Sequence, residues 1–321
     1  MKVVDFNILV ENIESLNKLY SSTLTIPTYG TVEMAYGRVV SVGDGRVNKK
    51  FNARVPVKVN VGDLVVYNPG VSIPVEYNIK NSDGTVTKVK RTKIKSTECI
   101  LTLNEDKDGN ITGIKDVKEN YVLVRRSEKD KVSMGGIIMP EINRTIENIS
   151  GTVYMMGPGK YNPETNDYIK CLAQVGDKVS FCEIGAIKCT LPITDENGKT
   201  TKETLYEIPD SVIDFIYDNK EGTMKKIKQG HVLVKRSEAV RKTAAGIYLA
   251  ETDSEGHLVT GEVTMIGEGV EHAKVGDRIV YVDAKENNKQ FKVKTDKGIS
   301  EKRYMIPETA IDAWLEDDEE I

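Results

Sequence analysis

What most limits the fold of this chain is that it repeats itself. The apolar run Asn7-Ile8-Leu9-Val10 recurs as Tyr121-Val122-Leu123-Val124 and as His231-Val232-Leu233-Val234. Exactly spaced repeats of this kind are the first thing to weigh, because one fold must serve every copy. A glycine stands 27 positions after the last valine of each run, at Gly37, Gly151 and Gly261. Each opens a G-x-V-x-x-x-G-x-G phrase that closes at Gly45, Gly159 and Gly269. Val61-Gly62-Asp63, Val175-Gly176-Asp177 and Val275-Gly276-Asp277 follow in the same order. Short apolar runs between Gly-rich turns, with no sustained helical period, predict an all-β fold of three tandem barrels. The expected domains are residues 1–113, 114–222 and 223–321.

The gaps carry further information. From the Gly-x-Gly to the glycine of Val-Gly-Asp the distance is 17 positions in the first two repeats and 7 in the third. Repeats one and two therefore have room for a short hairpin, at Arg46 to Asn60 and Lys160 to Gln174, and repeat three does not. Turn clusters at Asn81-Ser82-Asp83-Gly84, Asp195-Glu196-Asn197-Gly198 and Asp296-Lys297-Gly298 predict one further hairpin per repeat, because Asn, Asp and Gly tolerate positive φ. Repeats two and three close on Tyr206 to Pro209 with Val212 to Ile216, and on Tyr304 to Pro307 with Ala310 to Leu315. For repeat one the best candidate is Glu98 to Leu103. The polar stretches Asn104 to Asn120 and Lys220 to Gly230 read as linkers.

Repeat two is the cleanest copy, and it contains a long connection of 26 residues between Val124 and Gly151. Connections in compact domains are far shorter, and one of this length is usually functional or disordered. The polar run Ser127 to Met134 ends in Gly135-Gly136-Ile137-Ile138-Met139-Pro140. Large apolar side chains behind two glycines, within a polar loop, read either as a hook for a partner or as an edge strand of the barrel.

Other chemistry finds little support. The net charge of −4 and pI near 5.7 argue against nucleic-acid binding through bulk charge. No apolar stretch is long enough for a membrane-spanning helix, and Met1-Lys2-Val3-Val4-Asp5 lacks the build of a signal peptide, so the expected location is cytoplasmic. Cys99, Cys171, Cys182 and Cys189 lack the paired spacing of a zinc site and read as reduced thiols. The Gly-x-Gly turns lead into no helix that could receive a phosphate, so they read as structural turns. Gly198-Lys199-Thr200 lacks the earlier glycine of a phosphate loop. Asn104 to Gly109 starts like a calcium loop but has Lys115 where a bidentate Glu is required. The acidic stretch Glu316 to Glu320 reads as a solubilising tail. His231, His257 and His272 all lie in repeat three, and no catalytic grouping can be read.

The series of strand, polar loop, Gly-Gly-Ile-Ile-Met, Gly-x-Val-x-x-x-Gly-x-Gly, Val-Gly-Asp and apolar terminal strand resembles the GroES-like co-chaperonins. The resemblance runs through the whole chain once per third, most closely over Tyr121 to Asp218 and least in repeat one. It implies three tandem GroES-like β-barrels, and mobile loops whose tips dock on a GroEL-like chaperonin ring. Carried over, the tips are Ile137, Ile138 and Met139 behind Gly135 and Gly136, and Ile247, Tyr248 and Leu249 behind Gly246. In repeat one the tip falls at Leu24 and Ile26, without a glycine pair. The spacing-derived hairpins would be the family's roof hairpins.

The function so implied is a co-chaperonin that caps the ring and assists ATP-dependent folding. ATP or ADP would be bound by the partner, and unfolded substrate met only indirectly. The chain would be no enzyme, with no cofactor, nucleic acid or membrane of its own, and would form a homo-oligomer. Burying a three-residue tip gains on the order of 6 kcal/mol gross. Ordering a dozen loop residues at roughly 1 kcal/mol each cancels that, so affinity must come from several hooks acting together. Two other readings stand beside it. One is a structural or adaptor protein, virus-encoded in one version, that reuses the barrel for assembly. The other is the GroES-like substrate domain of a dehydrogenase, which the missing dinucleotide domain and zinc ligands disfavour.

Overall fold

The computed structural model describes residues 3–14, 16, 34–127, 148–182, 186–218, 224–237, 258–282, 289–294 and 300–316. These residues form strands joined by turns and short 3-10 segments, so the fold is all-β, as expected. Each repeat has a lead strand, Asn7–Asn12, Tyr121–Arg126 or His231–Arg236. On one side it pairs with a return strand, Ala35–Val42, Asn148–Met156 or Leu258–Ile266. On the other it pairs with the inner strand of a hairpin. Those hairpins are Ile73–Lys80 with Val86–Lys95, Ile187–Thr194 with Thr200–Pro209, and Lys289–Lys294 with Ser300–Pro307. Beyond the return strand come a third strand, Leu64–Tyr67, Lys178–Cys182 or Arg278–Val282, and a terminal strand, Cys99–Glu105, Ile213–Tyr217 or Ile311–Leu315.

The repeats agree rung by rung. Leu123 faces Met155 and Val124 faces Val153, so one residue bulges out between them, and Arg126 then faces Gly151. Repeat one has the same bulge after Leu9 and sets Asn12 opposite Gly37, and repeat three bulges after Leu233 and sets Arg236 opposite Gly261. The three glycines hold one structural position. The Val-Gly-Asp turns agree as well. Their glycines have φ of 95°, 91° and 97°, a backbone that side chains resist, and their aspartates each accept a 2.8 Å bond from the backbone N–H three residues earlier.

Period-two alternation gives the lead strand two buried faces. Val232 and Val234 point into the core of their own barrel with Val263, Ile279, Tyr281 and Ile306, and Ile8 and Val10 do the same in repeat one. Leu123 and Leu233 point the other way. Leu123 packs with Leu101, Ile114 and Val117 of repeat one, and Leu233 with Phe215 and Ile227. Each such leucine, when fully buried, contributes about 2 kcal/mol.

Two expectations need correction. The stretches read as linkers contain strands, Ile111–Val117 and Met224–Ile227, which add to the preceding repeat's sheet by pairing with its terminal strand. Ile111, Ile114 and Val117 are buried there, although two register shifts disturb their alternation. In repeat one, Cys99–Glu105 is the terminal strand, but the strand paired with the lead strand is Val86–Lys95, whose lysines conceal it in the sequence. The two short hairpins allowed by the spacing are present, at Arg46–Asn48 with Ala53–Val55 and at Lys160–Asn162 with Asp167–Ile169. Contacts divide the chain into two compact units, residues 1–177 with 181–212, and residues 178–180 with 213–321.

Candidate partner-binding site

The expected hooks lie on three connections whose ends the structure places. Each connection leaves the lead strand and rejoins at the return strand, so its two ends are neighbours in one ladder. One backbone bond closes each root: Ile13 N–H to Tyr36 O, Ser127 N–H to Ser150 O, and Ser237 N–H to Thr260 O, each 3.0 Å. All three pairs are 23 positions apart. The glycine beside each root is required by crowding. A Cβ on Gly151 would stand 2.4 Å from Val124 Cγ1 and 2.6 Å from Arg125 O, and one on Gly261 would stand 2.3 Å from Val234 Cγ1. At Gly37 the nearest atom is Val10 Cβ at 3.0 Å.

The residues named for the tips, Leu24, Ile26, Gly135, Gly136, Ile137, Ile138, Met139, Gly246, Ile247, Tyr248 and Leu249, lie outside the described residues. Three roots of one geometry are what the structure supplies.

Charge at the roots distinguishes repeat one. Arg125 donates from Nε to Glu203 at 2.8 Å and lies 4.7 Å over the Tyr154 ring. In repeat three Lys235 stands 3.9 Å from Glu301, and Arg236 lies 6.0 Å over the Tyr304 ring. The matching residue in repeat one is acidic: Glu11 stands 3.1 Å from Arg91 in an ion pair. Sequence reading missed this inversion, although Glu11 beside Val10, against Arg125 beside Val124, was its signal.

Repeats one and two also meet through their short hairpins. Asn48 Nδ2 donates to the Tyr161 hydroxyl at 2.8 Å and to Pro163 O at 2.9 Å. Lys58 lies 3.8 Å over the Tyr168 ring, whose hydroxyl donates to Glu119 at 2.9 Å. Burial lowers the Lys58 pKa and raises that of Tyr168, to which the bond to Glu119 also contributes. Beneath the hairpins is a cavity of about 1290 Å³, with Val55, Ile100, Leu101 and Met156 among its apolar lining and Lys49 and Lys118 among its cations.

Glu207 is the most unusual polar group. It sits opposite Leu123, fully buried, and neither carboxylate oxygen has a hydrogen-bond partner. Burial pushes its pKa up to about 8, with Lys118 opposing the rise and Glu98 adding to it. The same rung holds Lys93 in repeat one and Met305 in repeat three.

The other candidates resolve simply. All four cysteines are free. Burial pushes the Cys99 thiol up to about 12 and that of Cys171 to about 11, so neither is a ready nucleophile. Among the described residues no group of three His, Cys, Asp or Glu could hold a metal, and no helix is long and apolar enough to cross a membrane. Asp106 accepts from the backbone N–H of Asp108 at 2.9 Å and of Asn110 at 2.8 Å, which makes the calcium-like segment a side-chain-capped turn. The first glycine of each Gly-x-Gly donates to the lead strand, as Gly157 does to Tyr121 O at 2.8 Å, so these turns are structural.

Comparison with known proteins agrees with the threefold geometry. The profile of the Chaperonin 10 Kd subunit family, Cpn10, matches at residues 1–95, 115–204 and 223–307. The co-chaperonin GroES of Hydrogenovibrio crunogenus is 36% identical over 81 residues, 25% of this chain and 78% of that protein. GroES of Rhodococcus erythropolis is 36% identical over 77 residues, 24% of this chain and 76% of that protein. GroES of Clavibacter michiganensis is 33% identical over 78 residues, 24% of this chain and 78% of that protein. Each alignment has the length of a single repeat.

Proposed function

We propose, from the premise that this chain belongs to the Cpn10 family of chaperonin 10 Kd subunits, that it is a co-chaperonin carrying three lid domains on one polypeptide. Each domain, 1–113, 114–222 and 223–321, presents one loop to the rim of a chaperonin ring. Ile137, Ile138 and Met139 form the strongest hook, Ile247, Tyr248 and Leu249 the second, and Leu24 and Ile26 the weakest. The chain assembles with further copies to close a chamber in the cytoplasm around a folding substrate. The chaperonin binds and hydrolyses ATP, and this chain catalyses nothing.

The observation that carries the reading is the identity of the loop roots: three connections of one length, closed by one bond, on one rung of the same bulged ladder. Equal roots would let several weak hooks reach a multivalent partner together. The test is co-elution of the full chain with a GroEL-type chaperonin, with and without ATP. Capture only with nucleotide, lost on combining Ile137→Ser and Ile138→Ser, is the expected result. Absence of capture under every nucleotide condition would transfer the reading to an assembly adaptor.

A further inference from the structure

The cavity of about 1290 Å³ beneath the short hairpins of repeats one and two has walls from both repeats. It exceeds the roughly 300–1,000 Å³ of an ordinary small-molecule pocket. Val55, Ile100, Leu101 and Val117 of repeat one are buried and make its floor, and Met156 and Tyr161 of repeat two, both half-buried, close the other side. The hairpins are fastened across it by the two bonds from Asn48, to the Tyr161 hydroxyl and to Pro163 O. Repeat three has only 7 positions where the others have 17 and carries no such hairpin, so the chain holds one pair of them.

Floor and rim differ in chemistry. The floor is mainly aliphatic, and Thr102 is the one buried side chain in the lining with a hydroxyl. The rim is cationic: Arg46, Lys49, Lys50, Lys58 and Lys160 are exposed, and Lys118 is half-buried, 4.5 Å over the Tyr121 ring. Against these six cations the lining has two acids, Asp116 and Glu119. Glu119 is already engaged, since it accepts from the Tyr168 hydroxyl at 2.9 Å and stands 3.7 Å from Lys58. Like charges gathered around an apolar space repel one another, and an anion among them relieves the repulsion. The floor then decides which anion fits. The base and sugar of a nucleotide would leave their hydrogen-bonding atoms against Val55, Ile100 and Leu101 without partners, whereas an alkyl chain needs none.

We propose that this cavity binds one single-chain amphiphile with an anionic headgroup, a long-chain fatty carboxylate or the corresponding alkyl phosphate. The chain lies on Val55, Ile100, Leu101, Val117 and Met156, and the headgroup sits among Lys49, Lys50 and Lys160. A molecule seated there touches both repeats and ties their short hairpins together. The site rests on the geometry of repeats one and two alone. Its test uses no chaperonin, so its failure leaves loop docking standing.

The experiment is titration calorimetry of the full chain with dodecanoate, hexadecanoate, hexadecyl phosphate and dodecyltrimethylammonium, each below its micelle concentration. Hexadecanoate should bind as one molecule per chain and roughly a hundredfold tighter than dodecanoate, because it buries four further methylenes. Dodecyltrimethylammonium, with the same chain and the opposite charge, should bind at least about tenfold more weakly than dodecanoate. Whichever of hexadecanoate and hexadecyl phosphate binds tighter names the headgroup. Combining Lys49→Glu, Lys50→Glu and Lys160→Glu leaves the floor intact and should weaken hexadecanoate by at least about tenfold. Met156→Trp leaves the rim intact and fills part of the space, so the advantage of hexadecanoate over dodecanoate should shrink. Absence of binding, equal affinity for the cationic amphiphile, many molecules bound per chain, or affinities indifferent to both variants would overturn the proposal. Displacement of hexadecanoate by an equal concentration of ATP would overturn it too, because charge without a chain would then fill the site.

Discussion

Replacing Glu207 by methionine, the residue that holds its rung in repeat three, should stabilise the protein and remove a pH dependence. The carboxyl is fully buried without a hydrogen-bond partner, and its pKa is raised from 4.5 to about 8. Below the unfolded value both states hold the proton and the group contributes nothing. Between the two values the folded chain holds one proton more than the unfolded chain, so stability falls as pH rises, by about 1.4 kcal/mol per unit. The loss is complete above the folded value and totals on the order of 5 kcal/mol, of which about 3 kcal/mol is already present at pH 7. Methionine has a similar length, needs no partner, and is buried at position 305. Calorimetric melting of wild type and Glu207→Met from about pH 5 to 9, the window set by the two pKa values, reads the effect directly. The wild-type midpoint should fall relative to the variant across that window, and the variant should melt higher at pH 7. Parallel profiles would mean that the carboxyl finds water or a cation in solution, which would refute the reasoning.

Lys289→Ala should cost about 1–3 kcal/mol, because it leaves the buried Asp214 carboxylate without its half-exposed cation, and Asp214→Asn in the same chain should recover much of it; thermal melts measure both. Gly151→Ala and Gly261→Ala should each destabilise by roughly 1–3 kcal/mol through collision with the lead-strand valine, and Gly37→Ala by less, as denaturant midpoints would report. In titrations against a chaperonin with ATP, Ile137→Ser with Ile138→Ser should weaken capture most, Ile247→Ser less and Leu24→Ser least. Unchanged binding by the first, with its fold intact, would remove the physical basis for capping.

The repeat, the bulged ladder and the turns were legible because glycine and aspartate are needed there for local reasons. Gly62, Gly176 and Gly276 adopt a backbone that few residues tolerate, and Asp63, Asp177 and Asp277 cap the same turn. The added strands were not legible. Ile111, Ile114 and Val117 sit among Lys, Asp and Gly, and Leu101 and Leu103 of repeat one together with Leu123, Leu191 and Leu205 of repeat two make them core. Val86–Lys95 was hidden for a different reason: its lysines stand on both faces, Lys88 and Lys90 on one and Lys93 and Lys95 on the other, and only Thr92 and Ile94, opposite the lead-strand core residues Val10 and Ile8, are buried. Glu207 reads as one polar residue within an apolar run, and its burial follows from Leu123 and the junction behind it. Local chemistry is written locally, whereas burial that depends on residues of a neighbouring repeat leaves no mark in its own segment.

The added strand Ile111–Val117 runs into the lead strand Tyr121–Arg126 through Lys118, Glu119 and Asn120 alone, and Met224–Ile227 runs into His231–Arg236 through Lys228, Gln229 and Gly230. A neighbour tied by so short a link meets its partner at an effective concentration of millimolar order or above, whatever the abundance of the protein in the cell. Separate subunits have to keep a tight interface to find one another when dilute, but tethered domains do not. Inherited connection thus takes over work that side chains would otherwise do, and the rung between domains is free to diverge. Glutamate can stand where methionine stands one domain later, and a group that would dissolve an assembly of loose parts becomes a tolerable cost within a single chain.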